Sequence, residues 1–328
     1  MTAIPSRQSL TESWRSKGGD LLICPPGAVR VLLATAVLIS HMSAYDIGRL
    51  GVVMFFFLSG YWTSRIWTEK FEEKQFMRFY LARALRIYPL FLVVSVGTGL
   101  IRGIPLSIEN IFLFGIASTE HDPTGVSWSL DIEMQYYLLC PLLLPALRRL
   151  PLITFVAVLL CAGLAWVLLP QVAVKTAFLY LPAFLAGAWA DQTRWVPQLR
   201  TAILSLLAFL MTTAATWFTP FFIKRDVYPF DHDIYAFIWM LPLIPYLLRS
   251  LGGKSSRFDR KFGEYSYALY LVHYAVIALV VVHRSAQEKL TAALLAYGIA
   301  AVLFKLVDDP INGLRYRLVE MFSGKQSG

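Results

Sequence analysis

The chain of 328 residues is 57% hydrophobic and only 16% charged, whereas soluble domains are roughly 45 to 50% apolar and 25% charged. That balance excludes an ordinary cytosolic enzyme and indicates a chain dissolved in lipid. The net charge of +9 comes from 30 Lys and Arg scattered in short clusters between apolar runs, which excludes a single basic face for nucleic acid, and Cys24, Cys140 and Cys161 have neither disulfide nor zinc-site spacing.

In chain order, apolar stretches long enough to cross about 30 Å of hydrocarbon run over 29–45, 49–66, 86–102, 128–147, 152–169, 175–191, 201–218, 233–249, 265–283 and 290–308. The expected fold is all-α: a polytopic transmembrane helical bundle of about ten spans. A polar segment, 1–28, precedes the bundle domain, 29–309, and a short tail, 310–328, follows it. Arg7, Arg15 and Lys17 come before any apolar run, which is not the pattern of a cleavable signal peptide. Counting basic residues in alternate loops places 21 on one side and 7 on the other. By the positive-inside rule both termini are then cytoplasmic, as an even span number requires.

Ionisable groups inside spans cost several kcal/mol each, so each invites a functional reading beside a structural one. In the first span, Arg30 and His41 lie eleven residues apart, within about 20° on one helix face and roughly 16 Å along it. His41 is then near the outer side, desolvated and neutral, as a general base requires, or a packing histidine bonded to a neighbouring helix. Ser59 and Gly60 close a Phe-rich stretch and permit close helix contact. Arg83 and Arg86 share a helix face at a spacing suited to two phosphates, or serve as a headgroup anchor.

The fourth span opens with Trp128, Ser129, Asp131, Glu133, Tyr136 and Tyr137. Glu133 and Tyr137 share a face at i, i+4, with Ser129 one turn earlier, so a polar stripe enters the bundle; an ion pair between Glu133 and a helix arginine is the structural alternative. Asp131 points elsewhere and reads as a solvated loop residue. His273, among Tyr267 and Tyr270, suits interhelical hydrogen bonding more than direct catalysis. His121, His232 and His283 carry no assigned role, and Asp308-Asp309-Pro310 reads as a helix end in contact with water.

Taken in order, these segments resemble the acyltransferase-3 family of integral membrane O-acyltransferases. The resemblance rests on Arg30 with His41, on Gly51 to Gly60, and on Phe79, Arg83, Arg86, Ile87 and Pro89. It continues through Trp128-Ser129-Leu130 with Glu133, Tyr136 and Tyr137, and ends with Ser266-Tyr267, Tyr270-Leu271 and His273. Two positions depart from the family pattern: Asp308-Asp309-Pro310 replaces its Glu-x-Pro ending, and Gln135 its Trp.

The resemblance implies transfer of an acyl group, usually acetyl, from cytoplasmic acyl-coenzyme A to a hydroxyl of a sugar, glycolipid or other envelope acceptor. The implied setting is a bacterial inner membrane. Acyl-coenzyme A is a co-substrate, and no permanently bound cofactor, metal or nucleic acid is implied; the partners are the two substrates, the lipid bilayer and, as one assembly open to it, a second copy of the chain. In that scheme His41 is base or relay, Glu133 and Tyr137 orient it or the acceptor, and Arg30, Arg83 and Arg86 hold the donor. Ser59, Trp128, Ser129, Tyr270 and His273 support the site. A polytopic transporter or a non-catalytic envelope-assembly protein is the competing reading, disfavoured by a basic pair that a carrier of neutral sugars does not require.

Overall fold

The computed structural model describes residues 22–71, 75–119, 122–169, 174–219, 222–223 and 232–322. Arg7, Arg15, Lys17, Lys74, His121, Lys224, Arg225 and Lys325 lie outside them. Among the described residues every regular element is helical, with one antiparallel bridge between Tyr45 and Ile223.

The first helices are α1 (Pro26–Met42), α2 (Ile47–Lys70), α3 (Phe76–Arg102) and the short α4 (Ile108–Phe112). Then come α5 (Ser127–Arg149), α6 (Pro151–Leu168), α7 (Ala177–Thr193) and α8 (Leu199–Thr216). α9 (His232–Met240) and α10 (Ile244–Gly252) are two halves of one expected span, parted by a 3₁₀ turn at Leu241–Leu243. Pro242 and Pro245 cannot supply helical N–H groups there, and Ser205 Oγ from α8 donates to the Pro242 carbonyl at 2.5 Å. α11 (Arg257–Val280), α12 (Ala286–Leu303) and α13 (Asp309–Phe322) complete the chain.

Two boundaries differ from the sequence reading for one reason. α3 begins ten residues before 86, and α11 eight before 265, because a basic amphipathic run and the apolar span after it form one continuous helix. The expected helix end at Asp308 is also corrected. α12 passes through a single π turn, Phe304–Asp308, directly into α13, whose second residue is Pro310.

Among the described residues, five stretches are long and apolar enough to cross a membrane: α3, α6, α8, the α9–α10 pair, and α12 continued to Arg315. The least buried is α8, with 6% of its apolar window inside, against 39% for α3 and for the α9–α10 pair. α2, α7 and α11 each bury more than half of their residues, and α5 buries Asp131. Polar side chains therefore meet one another inside, and aliphatic ones face outward, as lipid demands.

Two close crossings set the interior. Gly60 of α2 and Gly187 of α7 face each other's backbones, and a Cβ at either would overlap the carbonyl oxygen of Phe184 or Phe57. Gly27 of α1 lies against Asp259 and Gly263 of α11. Asp259 accepts from the Gly27 and Ala28 amides at 3.1 and 3.0 Å, satisfying donors at the start of α1 that the helix leaves open. These contacts lock α1 to α11 and α2 to α7, and between them they leave a cavity.

Candidate functional site

The cavity, about 350 Å³, lies among α1, α2, α3, α5, α11 and α13, within the usual size range of small-molecule sites. Six basic side chains line it: Arg30, Lys70, Arg83, Arg86, Arg260 and Arg315. Glu133 and Glu264 are the acidic ones, and Phe55, Phe56, Trp62 and Ile66 give it an apolar stretch. Such a wall suits a ligand with a polyanionic end and a narrow, mostly apolar arm.

The two arginines of α3 are used differently. Arg86 Nη1 reaches both carboxylate oxygens of Asp308, at 3.3 and 3.1 Å, and its guanidinium lies 4.9 Å over the Tyr267 ring. Asp308 is buried, 4% exposed, and also accepts from Asn312 Nδ2 at 3.0 Å. The reading of Asp308 as a water-facing helix end is thus overturned: without a helix end there, the π turn carries the carboxylate into the bundle. Arg83 is 8% exposed, stacks over Tyr137 and Phe79 at 5.6 and 5.8 Å, and its Nε has no hydrogen-bond partner among the described residues.

On the opposing wall, Glu133 Oε1 accepts two hydroxyls, from Ser59 and from Tyr137, each at 2.5 Å. The two hydroxyls are 3.2 Å apart. The i, i+4 spacing on α5 creates half of this knot, and the α2–α7 crossing presses Ser59 into the other half. Glu133 therefore bonds hydroxyls, and among the described residues no arginine forms an ion pair with it. Ser129 does not continue the stripe to Glu133; its Oγ shares a 2.7 Å hydrogen bond with the Tyr270 hydroxyl on α11. Both residues line the cavity.

Trp128 lies outside the cavity lining, with the Arg49 guanidinium 5.9 Å and the Lys175 ammonium 5.6 Å from its ring centre. Asp131 is corrected from a solvated residue to a fully buried one. It accepts from the Ala117 amide at 2.8 Å and from Gln135 Nε2 at 2.9 Å. Gln135 Oε1 in turn accepts from the Ala177 amide at 2.9 Å, so the residue that departs from the family pattern ties α5 to the start of α7.

His41 lies against aromatic rings of α11. Its ring lies 5.2 Å from that of His273 and edge-on to Tyr274 at 4.9 Å. Neither histidine belongs to the cavity lining. His273 Nδ1 bonds the Tyr270 carbonyl of its own helix at 2.6 Å; the bonds between helices are made by Tyr267, to the Ile87 carbonyl at 2.7 Å, and by Tyr270, to Ser129. Tyr270 thus belongs to both centres, with its hydroxyl at the cavity and its carbonyl on His273.

The sequence reading missed Arg260, Arg315 and Lys70 as cavity residues. Arg315 enters only because α12 continues into α13, and nothing in residues 308–310 signals that continuation. His232, given no role, has Nδ1 at 3.1 Å from Asp46.

A family model described as an acyltransferase domain matches residues 27–307. No curated protein matches the chain, and no solved structure does.

Proposed function

The chain belongs to the acyltransferase-3 family, and from that premise we propose that it moves an acetyl group from cytoplasmic acetyl-coenzyme A to a hydroxyl of a sugar or glycolipid. The carrying observation is the cavity with six basic side chains at its wall and the unpartnered Nε of Arg83 among them. The nucleotide phosphates of the donor are held by Arg83 with Lys70, Arg260 and Arg315, and the pantetheine arm runs along the Phe55–Trp62 side toward Ser129 and Tyr270.

The acceptor hydroxyl approaches from the His41 end of α1. Its oxygen attacks the thioester carbonyl carbon as His41 takes its proton; the C–S bond then breaks, and the departing thiolate recovers that proton as the ester forms. Glu133, with Ser59 and Tyr137, fixes the cavity wall beside the thioester.

In this reading the Arg30 end of α1 and the basic ends of α2 and α3 face the cytoplasm, where acyl-coenzyme A exists. The five apolar stretches, together with α1, α2, α5, α7 and α11, make ten spans, with both termini cytoplasmic and a bacterial inner membrane as the setting. Mass spectrometry of envelope glycans and glycolipids with and without the gene tests the function. A +42 Da ester lost with the gene supports it; unaltered glycans alongside altered export of an unmodified molecule would replace it with a carrier.

A further inference from the structure

His273 is fully buried, and its two nitrogens are in unlike situations. Nδ1 lies 2.6 Å from the Tyr270 carbonyl oxygen. A carbonyl only accepts, so Nδ1 carries the proton and Nε2 is left with its lone pair. Nε2 is buried with no hydrogen-bond partner among the described residues, and leaving such an acceptor unsatisfied is costly. Packing explains the Nδ1 bond and does not explain Nε2.

The group beside it is His41. Ring centres 5.2 Å apart and tilted by 41° allow one nitrogen of each ring to reach hydrogen-bond distance after a small rotation. Tyr274 closes the other side of the His41 ring and is itself backed by Gly125, where a side chain would collide with the tyrosine ring. Catalytic hydrogen bonds commonly tighten only when substrate is present.

We infer that His273 is a positioning residue for His41: its Nε2 accepts the N–H of His41 and so leaves the other His41 nitrogen, with its lone pair, for the acceptor hydroxyl. This rests on the reading of His41 as base. When His41 takes the hydroxyl proton, the imidazolium keeps its hydrogen bond to His273 and passes the same proton on to the coenzyme A thiolate. His273 ends the cycle unchanged, with no net proton gained or lost.

The test uses the full chain purified with its membrane lipid, acetyl-coenzyme A as donor, and the acceptor identified by the mass spectrometry above. The amide of Asn falls near the Nδ1 position of histidine, and that of Gln near Nε2. Positioning therefore predicts that His273→Gln keeps kcat within several-fold of the parent, while His273→Asn loses roughly 10²-fold in kcat at unchanged donor KM. A merely structural histidine, needed for the Tyr270 carbonyl, predicts the reverse order, and that order would overturn the proposal. In the His41→Ala background His273→Asn should add nothing, since it acts through His41; an additional loss there would also overturn it. A His41→Ala variant that transfers at the parental rate would instead remove the premise, leaving the Gln and Asn comparison to report on His273 alone.

Discussion

Arg86 and Asp308, 222 residues apart in the chain, are joined through one guanidinium nitrogen that contacts both carboxylate oxygens. The pair fastens α3 to the π turn between α12 and α13, and it separates the jobs of the two arginines that the sequence presents as equivalent. Arg83→Ala is expected to weaken acetyl-coenzyme A binding by at least 10-fold with little change in thermal stability. Arg86→Ala leaves a buried carboxylate without its cation and should cost about 3 to 5 kcal/mol of stability. Calorimetric donor titration beside thermal unfolding of both variants checks this; full donor affinity in the double variant would leave the phosphates to other residues.

Arg86→Lys keeps the charge but loses the planar guanidinium that stacks on Tyr267 while its Nη1 holds Asp308. It should melt below the parent and above Arg86→Ala. Donor affinity should follow the loss of fold more than the loss of charge, which equilibrium binding below the melting transition reads directly.

General-base assistance is worth about 10²- to 10⁴-fold, so His41→Ala should cut transfer by that much while donor affinity and expression stay near the parental values. Parental transfer by this variant on a verified acceptor would move the base elsewhere, with Glu133 the next group to test.

The hydroxyl pair on Glu133 gives a graded series. Ser59→Ala and Tyr137→Phe each remove one of two donors to the same oxygen, so each should cost about 1 to 2 kcal/mol in stability or transfer. Glu133→Ala strands both hydroxyls and should cost more than either. Equal effects from all three would overturn that order and show that the knot fails as a whole when any one member is lost.

A Cβ at Gly60 or Gly187 meets backbone oxygen, which cannot rotate away. Gly60→Ala and Gly187→Ala are each expected to lose about 1 to 3 kcal/mol and to shift Ser59 from Glu133. Gly163→Ala, where nothing lies within 4 Å, should be silent in the same unfolding assay.

Much of the site was legible because it depends on local spacing. Glu133 and Tyr137 at i, i+4 do meet, and Arg30 does reach the same cavity as Arg83 and Arg86. What spacing could not reveal was set by helices packing across long separations. Asp131 reads as solvated in the sequence, yet the Ala117 amide and Gln135 close on it, and Asp308 reads as a terminus because Asp-Asp-Pro is a common helix ending, which here runs on into the next helix. His41 and Glu133 shared a scheme by resemblance alone; no periodicity relates α1 to α5, and packing gives them different neighbours.

The burial of charge in α2, α5 and α11 bears on how the protein is made. Segments bearing Arg49, Arg65, Glu133 or Asp259 are poorly suited to partition alone into hydrocarbon, whereas apolar, little-buried stretches such as α6 and α8 enter on composition. Those apolar helices then act as the solvent in which the charged segments assemble, and buried polar groups become tolerable only by finding one another. Loss of one such contact should be felt first as protein removed by membrane quality control, before any change in turnover by the copies that survive.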